Sequence, residues 1–160
     1  MTGQQASPQF RDAVSTDLPR LVELLADDAL GATREDLSRP LNPAYGRNFE
    51  AIDRDPNNRL VVAEIDDQLA GMLQLTFIPY LTHTGSWRCL VEGVRIADRF
   101  RGLGLGTQLL HYAIEAARRR RCRIVQLTSD KQRPDALRFY ESLGFSASHE
   151  GFKLHLDYAD

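Results

Sequence analysis

Cysteine, long apolar runs and charge imbalance are the scarce features of this chain, and each scarcity excludes something. Two cysteines in 160 residues, Cys89 and Cys122, cannot build a disulfide framework, so a reduced, cytoplasmic protein is the expectation. No apolar stretch approaches the ~20 residues that a membrane-spanning helix needs. The opening MTGQQASPQF has neither a basic n-region nor an apolar h-region, so it reads as a polar tail, residues 1–8, and not as a secretory signal. Lys plus Arg total 20 against 22 Asp plus Glu, a balance that leaves no broad footprint for nucleic acid. Four histidines, His83, His111, His149 and His155, lack the spacing of metal ligands, and no metal is expected. Repeats, low-complexity segments and long linkers are also missing. With 42% apolar residues, 9–160 is read as one globular domain.

What is present is glycine, in one telling place. Residues 99–112 read RFRGLGLGTQLLHY, with Gly102, Gly104 and Gly106 at alternate positions behind Arg101. A dinucleotide fingerprint would need a third glycine where Thr107 stands, and a Walker A loop would need a lysine after Gly106. Both fail on residues, but their shared physics survives. Glycines admit a close approach, and the N–H groups and dipole of the following helix favour an anion. Arg101 adds a fork suited to phosphate. The alternative is a plain tight turn.

The rest of the chain supplies an ordered series of elements. QFRDAV is a short strand, and a helix follows with Leu18, Leu21, Val22 and Leu25 on one face, capped by Thr16 or Asp17 and stopped at Gly31. A second helix runs from about Ala44 to Asp53. Two strands flank an Asp66–Asp67 turn, and a third covers Trp87–Ala97 with a bulge signalled by Gly93. A helix over 105–121 buries Leu105, Leu109, Leu110, Ala113, Ile114 and Ala117, and the basic run Arg118–Arg121 complements its C-terminus. A strand (RIVQLTSD), a helix with Pro134 at its start and Gly144 past its end, and two short strands around Gly151 complete the order. The expected fold is α/β: a mixed, mostly antiparallel central sheet flanked by helices, in the order β-α-α-β-β-β-α-β-α-β-β.

Two runs carry a family resemblance. VRIADRFRGLGLG, through Arg101, Gly104 and Gly106, resembles the acyl-CoA signature R/Q-x-x-G-x-G/A of the GNAT superfamily of N-acetyltransferases. RPDALRFYESLGF resembles that family's second signature, through Arg133, Ala136, Phe139, Tyr140, Gly144 and Phe145. They stand in the family's order with one helix and one strand between them, and the likeness covers roughly 9–156. It implies the GNAT fold, acetyl-CoA as donor and direct transfer to an amine without an acyl-enzyme. It further implies that Val94 and Ile96 pair by their backbone with the pantetheine arm. The pyrophosphate would sit on the N–H groups of Arg101, Gly102, Leu103, Gly104, Leu105, Gly106 and Thr107. Arg133, which stands where many members carry an asparagine, is a candidate cofactor contact, the alternative being a residue that caps or screens the start of its helix.

An ammonium must lose a proton before it attacks a thioester, and a carboxylate in reach can take it. Glu92, beside Gly93, is the candidate base, and the alternative is a solvent-facing strand carboxylate. If Val94 and Ile96 point one way, alternation puts Glu92 on their face, unless the bulge reverses it. Tyr140 is the candidate acid for the leaving thiolate; the alternative is a core residue sharing a face with Leu137 and Leu143. Phe77, Tyr80, His83 and Trp87 are candidates for an acceptor wall. The expected acceptor is a small-molecule or peptide amine, with no nucleic acid or membrane partner, and a homodimer is compatible with the reading. The competing function is a non-catalytic acyl-CoA-binding sensor or interaction module.

Overall fold

The computed structural model describes residues 7–157; residues 1–6 of the expected tail lie outside the described residues. The chain forms two compact units, Met1–Leu127 and Thr128–Asp160.

The first unit is built on a five-stranded sheet in the order β1-β2-β3-β4-β5. These strands are β1 (Gln9–Asp12), β2 (Asn58–Ile65), β3 (Gln68–Pro79), β4 (Trp87–Ile96) and β5 (Cys122–Leu127). All neighbours are antiparallel except β4 and β5, which run parallel. The mixed sheet flanked by helices is the expected one. Ile65 pairs with Gln68 across Asp66 and Asp67, whose φ of 50° and 58° give the two-residue turn that suits the strand twist.

Helices cover both sheet faces. On one lie α1 (Leu18–Ala26) and α2 (Pro43–Arg54), where Leu21, Leu24 and Phe49 bury against Val62 and Met72. On the other lies α4 (Leu105–Arg119), whose Leu109, Leu110 and Ala113 are fully buried. Val61, Leu73, Leu75, Cys89 and Val91 form the sheet's share of that second layer. A single turn, α3 (Thr82–Gly85), links β3 to β4, with left-handed backbone at His83 and Thr84. Asn42 caps α2 by accepting from the Ala44 N–H at 3.0 Å.

One boundary of α1 differs from the sequence reading. Helix α1 ends at Ala26, before Gly31, and Gly31 lies so close to the Leu25 carbonyl that an added Cβ would stand 1.9 Å from it. At the other end Asp17 holds the expected N-cap position of α1, but its side chain makes no cap bond there; it accepts from the Val14 N–H at 2.8 Å and ties the 3-10 turn (Ser15–Asp17) to the strand end.

In the second unit α5 (Pro134–Ser142) ends in a Schellman stop. The Gly144 N–H donates to Glu141 C=O and the Phe145 N–H to Tyr140 C=O, with Gly144 at φ 92°. The two expected strands around Gly151 do not form: residues 145–157 carry no strand. Phe152, Leu154 and Leu156 alternate as a strand would, yet they are exposed by 94%, 86% and 64%. Alternation marks a capacity to pair, and pairing needs a neighbour that the pattern does not provide.

Candidate active site

The site grows from a bulge. Met72 pairs with Arg95 and Gln74 with Glu92, so two steps on β3 face three on β4. The extra residue falls where Gly93 adopts φ 60°, a conformation glycine takes without steric cost. Its consequence is an inversion of the side-chain pattern. Glu92, across from Gln74, stands on the face covered by α1 and α2. Ile96 lies on the other face, beside Gly71, where a Cβ on that glycine would meet Ile96 Cδ1 at 2.8 Å and Leu109 Cδ2 at 3.7 Å. The shared face that simple alternation gives Glu92 and Ile96 is therefore corrected by the bulge. Glu92 is exposed, and no side chain among the described residues pairs with its carboxylate.

Beyond the bulge β4 outruns its parallel neighbour. Pairing with β5 stops at Val91 and Leu127, while β4 continues to Ile96. Residues 92–96, including Val94 and Ile96, thus hold an edge that β5 does not cover. This edge feeds through a 3-10 turn (Asp98–Phe100) into the glycine loop.

In that loop Gly102 and Gly104 have φ of 74° and 80°, and a Cβ at either would meet nothing within 4 Å. Gly104 caps α4, whose first helical bond runs from Gln108 N–H to Gly104 C=O. The N–H groups of Leu105, Gly106 and Thr107 precede that bond, at the positive end of a 15-residue helix. Leu103 is half exposed at the loop's tip and Leu105 is buried beneath it. Arg101 braces this loop. Its Nε donates to Ile96 C=O at 3.1 Å, and its guanidinium pairs with Asp98 at 2.8 Å and Asp27 at 3.4 Å.

In the second unit Tyr140 is half-buried, its ring 5.2 Å from Phe139 and 5.9 Å from Phe145. The Tyr140–Phe145 contact is the apolar clasp that accompanies a Schellman stop, which gives a physical meaning to the Y-x-x-x-G-F spacing. Leu137 is 47% exposed, so it shares no core with Tyr140. Arg133 precedes α5, its N–H donating to Asp130 C=O, and Lys131 pairs with Glu150 at 3.0 Å.

The aromatic residues singled out as an acceptor wall do not assemble into one. Arg120 lies over the rings of Phe77 and Trp87, at 4.6 and 5.8 Å, while Tyr80 packs against His83 and under Arg88. Between α1 and α2, Glu35 and Asp36 are engaged within the chain: Tyr45 Oη donates to Glu35 and accepts from the Asp36 N–H, and Asn42 donates to Asp36. Buried Cys89 has its thiol pushed up to about 12 by burial and by nearby Cys122, far from nucleophilic range. Among the described residues no group of three or more His, Cys, Asp or Glu is placed to hold a metal ion. Nor is any helix among them long and apolar enough to cross a membrane.

The sequence reading missed a cavity of about 430 Å³ between α2 and the β2–β3 hairpin, lined by Asn48, Ala51, Ile52, Asp55, Asn58 and Gln74. Its residues come from three elements. The advance signal in the sequence is that Gln74 and Thr76 interrupt the apolar run of β3.

With this geometry in place, comparison with known proteins decides the family. A family model described as "Acetyltransferase (GNAT) family" matches residues 19–145. The chain belongs to the GNAT acetyltransferase family. An aminoalkylphosphonate N-acetyltransferase of Salmonella typhimurium is 30% identical over 109 residues, 68% of this chain and 70% of that protein. Among solved structures, a protein of Bacillus halodurans described as a transcriptional regulator superposes with TM-score 0.91 at 53% identity, covering 94% of this chain and 100% of the other. An acetyltransferase of Trypanosoma brucei superposes with TM-score 0.75 at 27% identity, covering 94% and 100%. This GNAT protein is an N-acetyltransferase, and its fold is that of the family.

Proposed function

We propose that this GNAT enzyme uses acetyl-CoA and transfers the acetyl group directly to a primary amine of a small molecule, with 9–160 working as one catalytic domain in the cytoplasm. The observation that carries the reading is the junction of β4 and α4. An uncovered strand edge, a glycine loop open to close approach and the N–H groups of a helix N-terminus follow one another within 92–107. That succession suits an extended amide-bearing arm ending in a pyrophosphate. Val94 and Ile96 offer backbone groups to the arm, and Gly102 to Thr107 offer N–H groups to the phosphates. Arg101 holds the loop in this shape through Ile96, Asp98 and Asp27. Arg133 is a further contact on the cofactor.

When bound, acetyl-CoA supplies an acetyl group activated as a thioester; the chain supplies the proton traffic. Glu92 accepts a proton from the incoming ammonium, leaving the nitrogen lone pair free to attack the carbonyl carbon. As the C–N bond forms and the C–S bond breaks, Tyr140 donates its phenolic proton to the sulfur, the nitrogen's second proton restores the Tyr140 phenol through solvent, and the products are an N-acetyl amide and CoA, with the proton taken by Glu92 released to water. An open groove of about 430 Å³ beside Glu92 supports a metabolite-sized acceptor.

The test of the donor is calorimetric titration with acetyl-CoA. Wild type binds, and Gly104→Ala, which places a Cβ in the cradle and a left-handed alanine at the cap, weakens binding at least tenfold. Equal affinity in the two proteins would contradict the cradle.

A further inference from the structure

The cavity between α2 and the β2–β3 hairpin sits beside Glu92, and its hydrogen-bond polarity specifies what it can hold. Gln74, on its floor, is the direct cross-strand partner of Glu92. Directly opposed residues hold their Cβ atoms about 4.5–5.5 Å apart, so an amine at the Glu92 carboxylate has its remaining atoms over Gln74.

The direction of each bond in the cavity is fixed by Asp55, whose carboxylate only accepts. Asn58 Nδ2 donates to Asp55 Oδ2 at 2.7 Å, and the Asn57 N–H donates to Oδ1 at 2.8 Å. The Asn58 amide oxygen therefore faces the other way. There it receives the Thr76 hydroxyl at 2.8 Å and Gln74 Nε2 at 3.4 Å. These donations run inward toward Asp55 and use one N–H of each amide, Asn58 and Gln74. Each of these amides keeps one N–H, but acceptors predominate: Gln74 Oε1 and the remaining lone pairs of Asp55, with the Glu92 carboxylate next to them, so the charge in reach is negative. None of the six lining residues carries a positive charge.

We propose that this cavity is the acceptor subsite and that it selects a hydrophilic amine bearing further hydrogen-bond donors while rejecting amines that carry an anionic group. The inference rests on the acetyl-transfer reading above and deepens it. An anion here would meet two carboxylates, since Arg95, the cation on Glu92's face, is engaged by Asp28 at 3.7 Å and by the Val94 C=O at 2.9 Å, and an alkyl chain would strip water from Gln74 and Asp55 without replacing its hydrogen bonds. The added donors can be hydroxyls, as on an amino sugar, or a second amine, as on a polyamine. Gln74 is the residue that reads them. The 30% identical relative is named for an aminoalkylphosphonate, an anionic amine, so this subsite predicts a different acceptor preference here.

The test is a binding measurement on acetyl-CoA-loaded Glu92→Gln protein, with Gln74→Leu added in a second variant. The probes are glucosamine, spermidine, 2-aminoethylphosphonate and butylamine. We expect glucosamine or spermidine to bind at least tenfold tighter than the other two, and which of them leads tells hydroxyl from second amine. Gln74→Leu should weaken that amine about tenfold and leave acetyl-CoA affinity unchanged. In the wild-type background Gln74→Leu should raise KM with little change in kcat. Asn48→Lys, at the exposed rim, should improve binding of 2-aminoethylphosphonate. Tightest binding of the phosphonate or of butylamine, indifference to Gln74→Leu, or no binding of any probe would each overturn the proposal. Thiol release from acetyl-CoA by wild type, read in parallel, reports on acetyl transfer itself. Its absence contradicts the proposed function, whereas the binding series alone decides the subsite.

Discussion

At the scale of single residues, Glu92 and Asp17 are two carboxylates with opposite employments. Glu92 is exposed with no side-chain partner among the described residues, which suits the proton-accepting role proposed for it. Asp17 is committed. Its burial opposes charge, but the Arg11 guanidinium at 2.8 Å and the Val14 N–H outweigh that and hold the carboxyl below its ordinary value. A depressed folded pKa adds stability that is present above the unfolded value, ~3.9 for aspartate, and is lost as pH falls through the folded one. Asp17→Asn should therefore cost about 1–2 kcal/mol at pH 7, the scale of a charged hydrogen bond. Urea unfolding should show that difference shrinking as pH falls below the unfolded aspartate value of ~3.9. Cys89 gives a second residue-scale prediction. Fully buried and with its thiol pushed up to about 12, it should stay silent toward a thiol reagent in native protein at pH 8 and react only on unfolding.

Among elements, the lesson is how one inserted residue redirects a strand. Both the Gly93 bulge and the strand that carries it are legible in the sequence, because an isolated glycine interrupts a β-rich run. Its effect on facing is not, since that depends on which β3 residues lie opposite. Local signals located the Asp66–Asp67 turn, the apolar stripe of α4 and the Pro134–Gly144 limits of α5, each contained within a few residues. The C-terminal strands show the opposite case. Phe152, Leu154 and Leu156 alternate, but a strand is stabilised by a partner far away in sequence, and 145–157 has none. The cavity was illegible for the same reason: Asn48, Asp55, Asn58 and Gln74 meet only through the hairpin's register. At the turn, Asp67→Gly should raise stability by about 1 kcal/mol, because it relieves a left-handed backbone held by an L-residue. The shift in urea midpoint measures this.

Taken whole, the edge proposed for the acyl donor and the groove proposed for the acceptor lie on either side of the same bulge in β4. The uncovered run 92–96 leads one way into the Gly102–Gly104 loop, and Glu92 faces the other way across Gln74. The most direct test is the initial rate of thiol release from acetyl-CoA with an amine panel, measured for wild type and Glu92→Gln. Removing a general base typically costs ~10²–10⁴-fold, so we predict kcat at least ~100-fold lower in Glu92→Gln with the thermal stabilisation by acetyl-CoA intact. A Glu92→Gln enzyme that turns over at the wild-type rate, or a wild type that acetyl-CoA does not stabilise, would contradict the account.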